Sequence, residues 1–288
     1  MKRIFPYLFT LFIAFVASIA PAQEQDIKIA VIDWTQVETL LALGIQPVGA
    51  AQIADYNAWV KAPEIPEGTV DLGLRTQPNL ERLSELKPDQ IFISPMFQSL
   101  TPQLSRIAPV NNITLYTKNN VSWQALETYT RTIAKDTHRE DAAEALIQSA
   151  RDTFVSLSTQ RPVEVAPLLM VQFMDARHVR VFGNNSMYKV AADQIGLKSA
   201  WQGDTNSWGF ALVSIDKLIG LKAQIVVIEP LPAGVKQNLE QDAFWQYLVK
   251  QTGYPALTIP AVWSFGAIPS TVRFTTLLTS ALLNEEAH

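Results

Sequence analysis

Cysteine is absent from the 288 residues. That excludes a disulfide framework, a thiolate metal cage and a thiol for a bacterial lipid anchor. Histidine is nearly absent: His138, His178 and His288 are scattered along the chain and, with no cysteine beside them, make no zinc or iron cage. Neither a G-x-S-x-G elbow nor a G-x-x-x-x-G-K-[ST] loop occurs, and nothing in the order of residues supports a Ser-His-Asp triad. Positive charge is scarce as well, with 23 Lys and Arg against 27 Asp and Glu. That balance argues against a nucleic-acid partner, which calls for clustered cations. These absences favour a binding protein over an enzyme.

What the chain does have begins with an address. Lys2 and Arg3 form a basic n-region, Ile4 to Ala20 an uncharged apolar run, and Ala20-Pro21-Ala22 a small-residue cleavage signal. Residues 1–22 are therefore expected to be a cleaved secretory signal, and the mature protein to be periplasmic. Pro6 interrupts the run, which is short for a bilayer span, and no later stretch is long and apolar enough to cross one. Without Lys2 and Arg3, 21 basic residues face 27 acidic ones, a net charge of −6.

The remainder alternates short apolar strands with helical periods, the pattern of a parallel sheet covered by helices. Lys28–Asp33 and Gln90–Ser94 read as buried strands, and the run with Val37, Leu40, Leu41 and Leu43 as a helix ended by Gly44. Ile113–Tyr116 reads as the last strand of a first unit spanning 23–137. From Ser122 to Gln160 there is no strand signal. Trp123, Leu126, Tyr129 and Ile133 repeat at helical spacing, and after a break near Asp136–Arg139 a long helix over 138–160 continues it. A second unit over 161–288 opens with the strand Pro167–Gln172, and Ser214 begins another helix. The expected fold is α/β: two Rossmann-like lobes on parallel-type sheets, joined by one long backbone helix.

Three loops carry the chemistry. Val70 to Glu81 reads as a strand, a tight turn at Gly73 and a helix start capped by Thr76 or Asn79, with Arg75 in its middle. Arg75 pairs here with Phe97 of the next loop. Trp201 to Phe210 sets two tryptophans in a polar loop, as a stacking surface or as a cap on the second core. Trp263-Ser264-Phe265-Gly266 follows a strand end. Ligands in open α/β sheets bind beyond the carboxyl ends of strands, and all three loops are expected there. An aromatic cleft with one arginine is the simplest picture.

These residues resemble a known family. Glu38-Thr39-Leu40-Leu41-Ala42-Leu43-Gly44-Ile45, Asp71–Glu81, Arg106-Ile107-Ala108-Pro109, Val181–Ser186, Ala200–Asn206 and Pro260–Trp263 are together similar to the periplasmic iron(III)-hydroxamate, ferrichrome-type siderophore-binding proteins of ABC importers, which are class III substrate-binding proteins. The resemblance spans essentially the whole mature chain. It implies a shallow cleft between the lobes, modest closure, a ferric hydroxamate siderophore as ligand, no resident cofactor, a monomer, and delivery to an inner-membrane permease and its ATPase. By the same resemblance Arg75 bonds hydroxamate oxygens, and Trp208, Trp263 and Trp59 are cleft aromatics. Phe97 and Phe265 stand where the best-known member has tyrosines, so two hydroxyls are missing. Asp216 matches a permease-docking acid of the second lobe, and Glu38 or Glu81 is the candidate in the first. A vitamin B12 or haem carrier of the same architecture, an exported hydrolase and a structural or adhesion domain remain as alternatives.

Overall fold

The structure is a computed structural model that describes residues 27–117 and 121–286. The expected signal, residues 1–22, and His288 lie outside the described residues. In chain order the first lobe contains β1 (Ile29–Val31), α1 (Trp34–Ala42), β2 (Gly49–Ala50), α2 (Ile53–Trp59), β3 (Val70–Asp71), the small hairpin β4 (Gly73–Leu74) and β5 (Gln77–Pro78), α3 (Leu80–Glu85), β6 (Gln90–Ile93), α4 (Thr101–Leu104) and β7 (Val110–Asn112). Its sheet runs β3-β2-β1-β6-β7, and every pairing is parallel. The strand order reverses between β1 and β6. The crevice beyond their carboxyl ends, at Asp33–Trp34 and Ser94–Pro95, is the place where such sheets bind ligands.

Two helices follow, α5 (Trp123–Asp136) and α6 (Glu140–Gln160). The break between them turns on His138, at φ 54°. At 1.5 Å per residue, α6 spans roughly 30 Å. The second lobe holds β8 (Leu168–Phe173), β9 (His178–Phe182), α7 (Met187–Gln194), β10 (Phe210–Ser214), β11 (Gln224–Ile228), α8 (Val235–Gln241), α9 (Ala243–Thr252), β12 (Leu257–Ile259) and α10 (Ile268–Glu286). Its sheet order is β10-β9-β8-β11-β12, with β9 antiparallel to both neighbours. The tight turn from β8 to β9 leaves no room for a crossover helix, so the pair forms an antiparallel hairpin.

Alternation along the strands distributes the cores. Ile29 and Val31 of β1, and Leu168 and Met170 of β8, join one cluster that also takes in Phe154 of α6 and Phe274 of α10. Ala30 and Ile32 point into a separate core with Leu83 and Phe97, and Leu169 and Val171 into another with Ile215 and Leu248. Both sheets are thus buried on two faces, as sheets covered by helices must be. The shared core means that α6 is not the sole bridge, since α10 packs against α1, α5, α6 and α7.

Local readings differ at three points. The last strand of the first lobe is Val110–Asn112, not Ile113–Tyr116, which leaves Tyr116 in the loop beyond it. Ser214 starts a single 3-10 turn, Ile215–Leu218, which ends where Ile219 becomes extended at φ −61° and ψ 134°. Between the expected loop, which ends at Phe210, and the expected helix start at Ser214, the structure has an edge strand, Phe210–Ser214.

Candidate ligand-binding site

Asp33 organises the first-lobe wall. It caps α1, accepting from Thr35 N at 2.8 Å, and its other oxygen accepts from Ser94 Oγ at 2.7 Å. One carboxylate thereby ties together the carboxyl ends of β1 and β6. Trp34, the first residue of α1, is turned inward and only 2% exposed. Its indole N–H donates to Ala51 O at 3.0 Å. Its ring meets Tyr56 and Trp263 edge-on at 6.2 and 5.0 Å.

Arg75 is set by the β4–β5 hairpin. Gly73 pairs with Pro78 and Leu74 with Gln77, leaving Arg75-Thr76 as a two-residue turn. Gly73 takes φ +78°, and its N–H is held by Asp71 Oδ1 at 2.8 Å. Asn79 caps the helix that follows, accepting from Arg82 N at 2.9 Å. The Arg75 guanidinium carbon lies 3.5 Å from the Trp34 ring centroid, 5.6 Å from Trp263 and 5.8 Å from Phe97. Its Nε is buried without a hydrogen-bond partner. Burial lowers the Arg75 pKa, while the charges of Asp33 and Asp55 oppose that shift. The group is a stacked cation held at a cavity wall with donors to spare.

The second lobe closes the opposite wall. Trp263 Nε1 donates to Thr35 Oγ1 at 3.1 Å, and Thr35 Oγ1 donates to Phe265 O at 2.8 Å. Tyr116 OH donates to Gly266 O at 2.6 Å. Phe265 lies at the centre of an aromatic cluster, 5.2 Å from Trp263, 5.4 Å from Trp208 and 6.0 Å from Tyr116. Arg180 of β9 extends over Phe210, with its guanidinium carbon 4.9 Å from that ring. Between the walls is a cavity of about 490 Å³, lined by residues of both lobes. That size and its largely aromatic lining match those of small-ligand sites.

The structure brings Arg75, Trp59, Trp208, Trp263 and Phe265 to this cavity. Phe97 does not line it. It is 2% exposed and packs in the first-lobe core with Leu100 and Leu104, behind Arg75. The loop Trp201–Phe210 divides its tryptophans. Trp201 caps the second-lobe core, while Trp208 faces the cavity. That loop also runs from α7 to β10 instead of following a strand's carboxyl end.

Glu38 cannot dock a membrane partner. Residues Trp34 to Leu40 of α1 are all buried, and Glu38 is fully enclosed. It accepts from Ala267 N at 2.5 Å and from the Ser270 hydroxyl, so it caps α10 from across the lobe boundary. Desolvation pushes its pKa up to about 8. Asp216 and Glu81 are exposed.

Sequence reasoning missed Trp34, Tyr116 and Arg180. The strand-end rule, applied to β1, points at Asp33–Trp34. The alternation Val179, Arg180, Val181 sets Arg180 on the face opposite two buried valines. Among the described residues no group of three or more His, Asp or Glu is placed to hold a metal ion, and no helix is long and apolar enough to cross a membrane.

Comparison with known proteins bears on this geometry. Residues 29–252 match the family described as periplasmic binding protein. The chain is 33% identical over 279 residues to the iron(3+)-hydroxamate-binding protein FhuD of Escherichia coli K12, covering 96% of this chain and 92% of that one. The crystal structure of the siderophore-binding protein FhuD of Vibrio cholerae bound to Fe3+-Desferal superposes with a TM-score of 0.85 at 26% identity, over 90% of this chain and 98% of that chain. FhuD2 of Staphylococcus aureus with bound ferrioxamine B shares the fold, with a TM-score of 0.69 at 19% identity over 90% of this chain and 99% of that one.

Proposed function

The chain belongs to the periplasmic binding protein family, and from that premise we propose that it captures ferric hydroxamate siderophores in the interlobe cavity and delivers them to an inner-membrane ABC permease for iron uptake. One observation carries the reading: the Arg75 guanidinium lies over the Trp34 ring, its Nε unpartnered, at the wall of an aromatic cavity. Three monoanionic hydroxamates neutralise Fe³⁺, leaving a complex with an apolar flank and oxygens that accept hydrogen bonds. Aromatic walls take the flank. Arg75 donates to the oxygens, a charge-assisted contact of about 1.5–3 kcal/mol.

The iron arrives as cargo, already wrapped by its chelator, so the protein supplies no metal ligand and no catalytic step. The protein acts as a monomer in the periplasm after its signal is cleaved. Asp216 and Glu81, both exposed, are the acids offered to the permease. The test is a tryptophan-fluorescence titration with ferrichrome, ferrioxamine, coprogen and aerobactin as ferric complexes. The reading expects saturable quenching by at least one of them. Tight binding of a corrinoid, with no response to any ferric hydroxamate, overturns it.

A further inference from the structure

The two arginines of the cavity stand in opposite electrostatic settings. Arg75 has the Asp33 and Asp55 charges acting on it across the first-lobe wall. Arg180, on the second-lobe wall, is half-buried and among the described residues has no carboxylate partner. Among the described residues its hydrogen bond runs from Nη1 to the neutral Gln172 Oε1 at 3.3 Å, and the rings of Phe210 and Phe265 lie 4.9 and 5.9 Å from its guanidinium carbon. Among the described residues it makes no ion pair. A desolvated cation without a counter-charge is costly unless something supplies the negative partner.

Gln172 makes the arrangement directional. It is 1% exposed, its Oε1 also accepts from Ser264 Oγ at 3.5 Å, and its Nε2 is left unpartnered. Held from behind in this way, the guanidinium lines the cavity wall with Trp208 and Phe265. The planar fork of a guanidinium suits a planar, bidentate acceptor such as a carboxylate.

We propose that Arg180 is a specificity-determining residue that selects ferric hydroxamate complexes bearing a carboxylate beyond the three anionic groups that neutralise Fe³⁺, and so a net negative charge, over neutral tris-hydroxamates. The carboxylate face of such a ligand turns toward the second lobe and its hydroxamate oxygens toward Arg75. This rests on the proposed siderophore-binding function and adds the charge class of the ligand.

The experiment compares ferrichrome, a neutral tris-hydroxamate, with ferric aerobactin, an anionic citrate-dihydroxamate, on the wild-type protein, Arg180→Gln and Arg180→Lys, by fluorescence titration at low and high salt. The inference expects the wild type to favour the anionic complex, and the preference to shrink as salt screens it. Arg180→Gln weakens the anionic complex at least about tenfold while changing the neutral one less than about threefold. Arg180→Lys restores part of the preference. Circular dichroism of each variant confirms that it folds. Equal losses on both complexes, or no loss on either, overturn the inference while leaving the siderophore reading intact. Failure of the wild type to bind either complex overturns this inference, and the siderophore reading falls with it only when ferrioxamine and coprogen also give no response.

Discussion

The guanidinium carbon of Arg75 lies 3.5 Å from the centroid of the Trp34 ring. The two residues are 41 positions apart and come from different elements, a hairpin turn and the first turn of α1. The contact exists because the Asp33 cap turns Trp34 inward and the Asp71 carboxylate pins the hairpin beside it. Trp34 is therefore part of the site as well as of the core. In Trp34→Phe, the Ala51 carbonyl loses its donor and the platform shrinks. We expect a stability loss of about 1–3 kcal/mol and, from the weaker cation–π contact, a several-fold rise in the siderophore dissociation constant. Urea unfolding and titration measure the two separately. Lower stability with unchanged binding confines Trp34 to a packing role.

Phe265 and Phe97 look equivalent in the sequence but differ in place. Phe265 faces the cavity and Phe97 is enclosed behind Arg75. Phe97→Ala is expected to cost about 3–5 kcal/mol of stability, as large-to-small core changes do. Phe265→Tyr is expected to leave stability within about 0.5 kcal/mol and tighten hydroxamate binding a few-fold by adding a hydrogen bond worth about 1 kcal/mol. Thermal melts and titrations of both variants check the contrast, and the opposite assignment of effects contradicts it.

Glu38 couples the lobe boundary to pH. Its carboxyl is raised from 4.5 to about 8 by desolvation, so the folded state holds a proton that the unfolded state releases. Stability from this group is complete below the unfolded value and is lost as pH rises toward and through about 8. Glu38→Gln can accept from Ala267 and donate to Ser270 without a charge. The variant is expected to lose less stability than wild type between pH 6 and pH 8.5, measured as urea midpoints across that range. Parallel midpoint curves for the two proteins contradict the protonated reading.

Asp216 sits on the second lobe away from the cavity lining, exposed, with its pKa lowered first by the Ser214 hydroxyl. It is a charged group free to meet a partner. Asp216→Lys is expected to leave siderophore affinity unchanged and to reduce iron-dependent growth or radiolabelled siderophore uptake severalfold in cells that depend on this protein. Unchanged uptake removes Asp216 from the docking surface.

Much of the architecture is legible in the sequence because strand and helix periods differ and both sheets are doubly buried. The connector reads cleanly, break included, since Trp123 to Gln160 has helical spacing and no strand signal. Arg75, Trp208, Trp263 and Phe265 stand out as large or charged side chains in loops. Of the missed residues, Tyr116 lies in the loop beyond β7, and the other two hide inside regular elements. Trp34 looks like helix core and Arg180 like the polar face of a strand, and only tertiary packing turns both toward one cavity. Glu38 is the reverse error. A carboxylate on a short helix reads as solvent-exposed, but α1 is covered on every side by the shared core and α10.

The central claim is that Arg75 holds the ligand, and the dissociation constant of Arg75→Ala for a ferric hydroxamate that the wild type binds tests it most directly. Loss of a charge-assisted hydrogen bond of about 1.5–3 kcal/mol corresponds to a rise of roughly ten- to 150-fold, with the melting transition retained because the Trp34 ring stays packed by Tyr56 and Trp263. A dissociation constant equal to that of the wild type, in a variant that folds, contradicts the account.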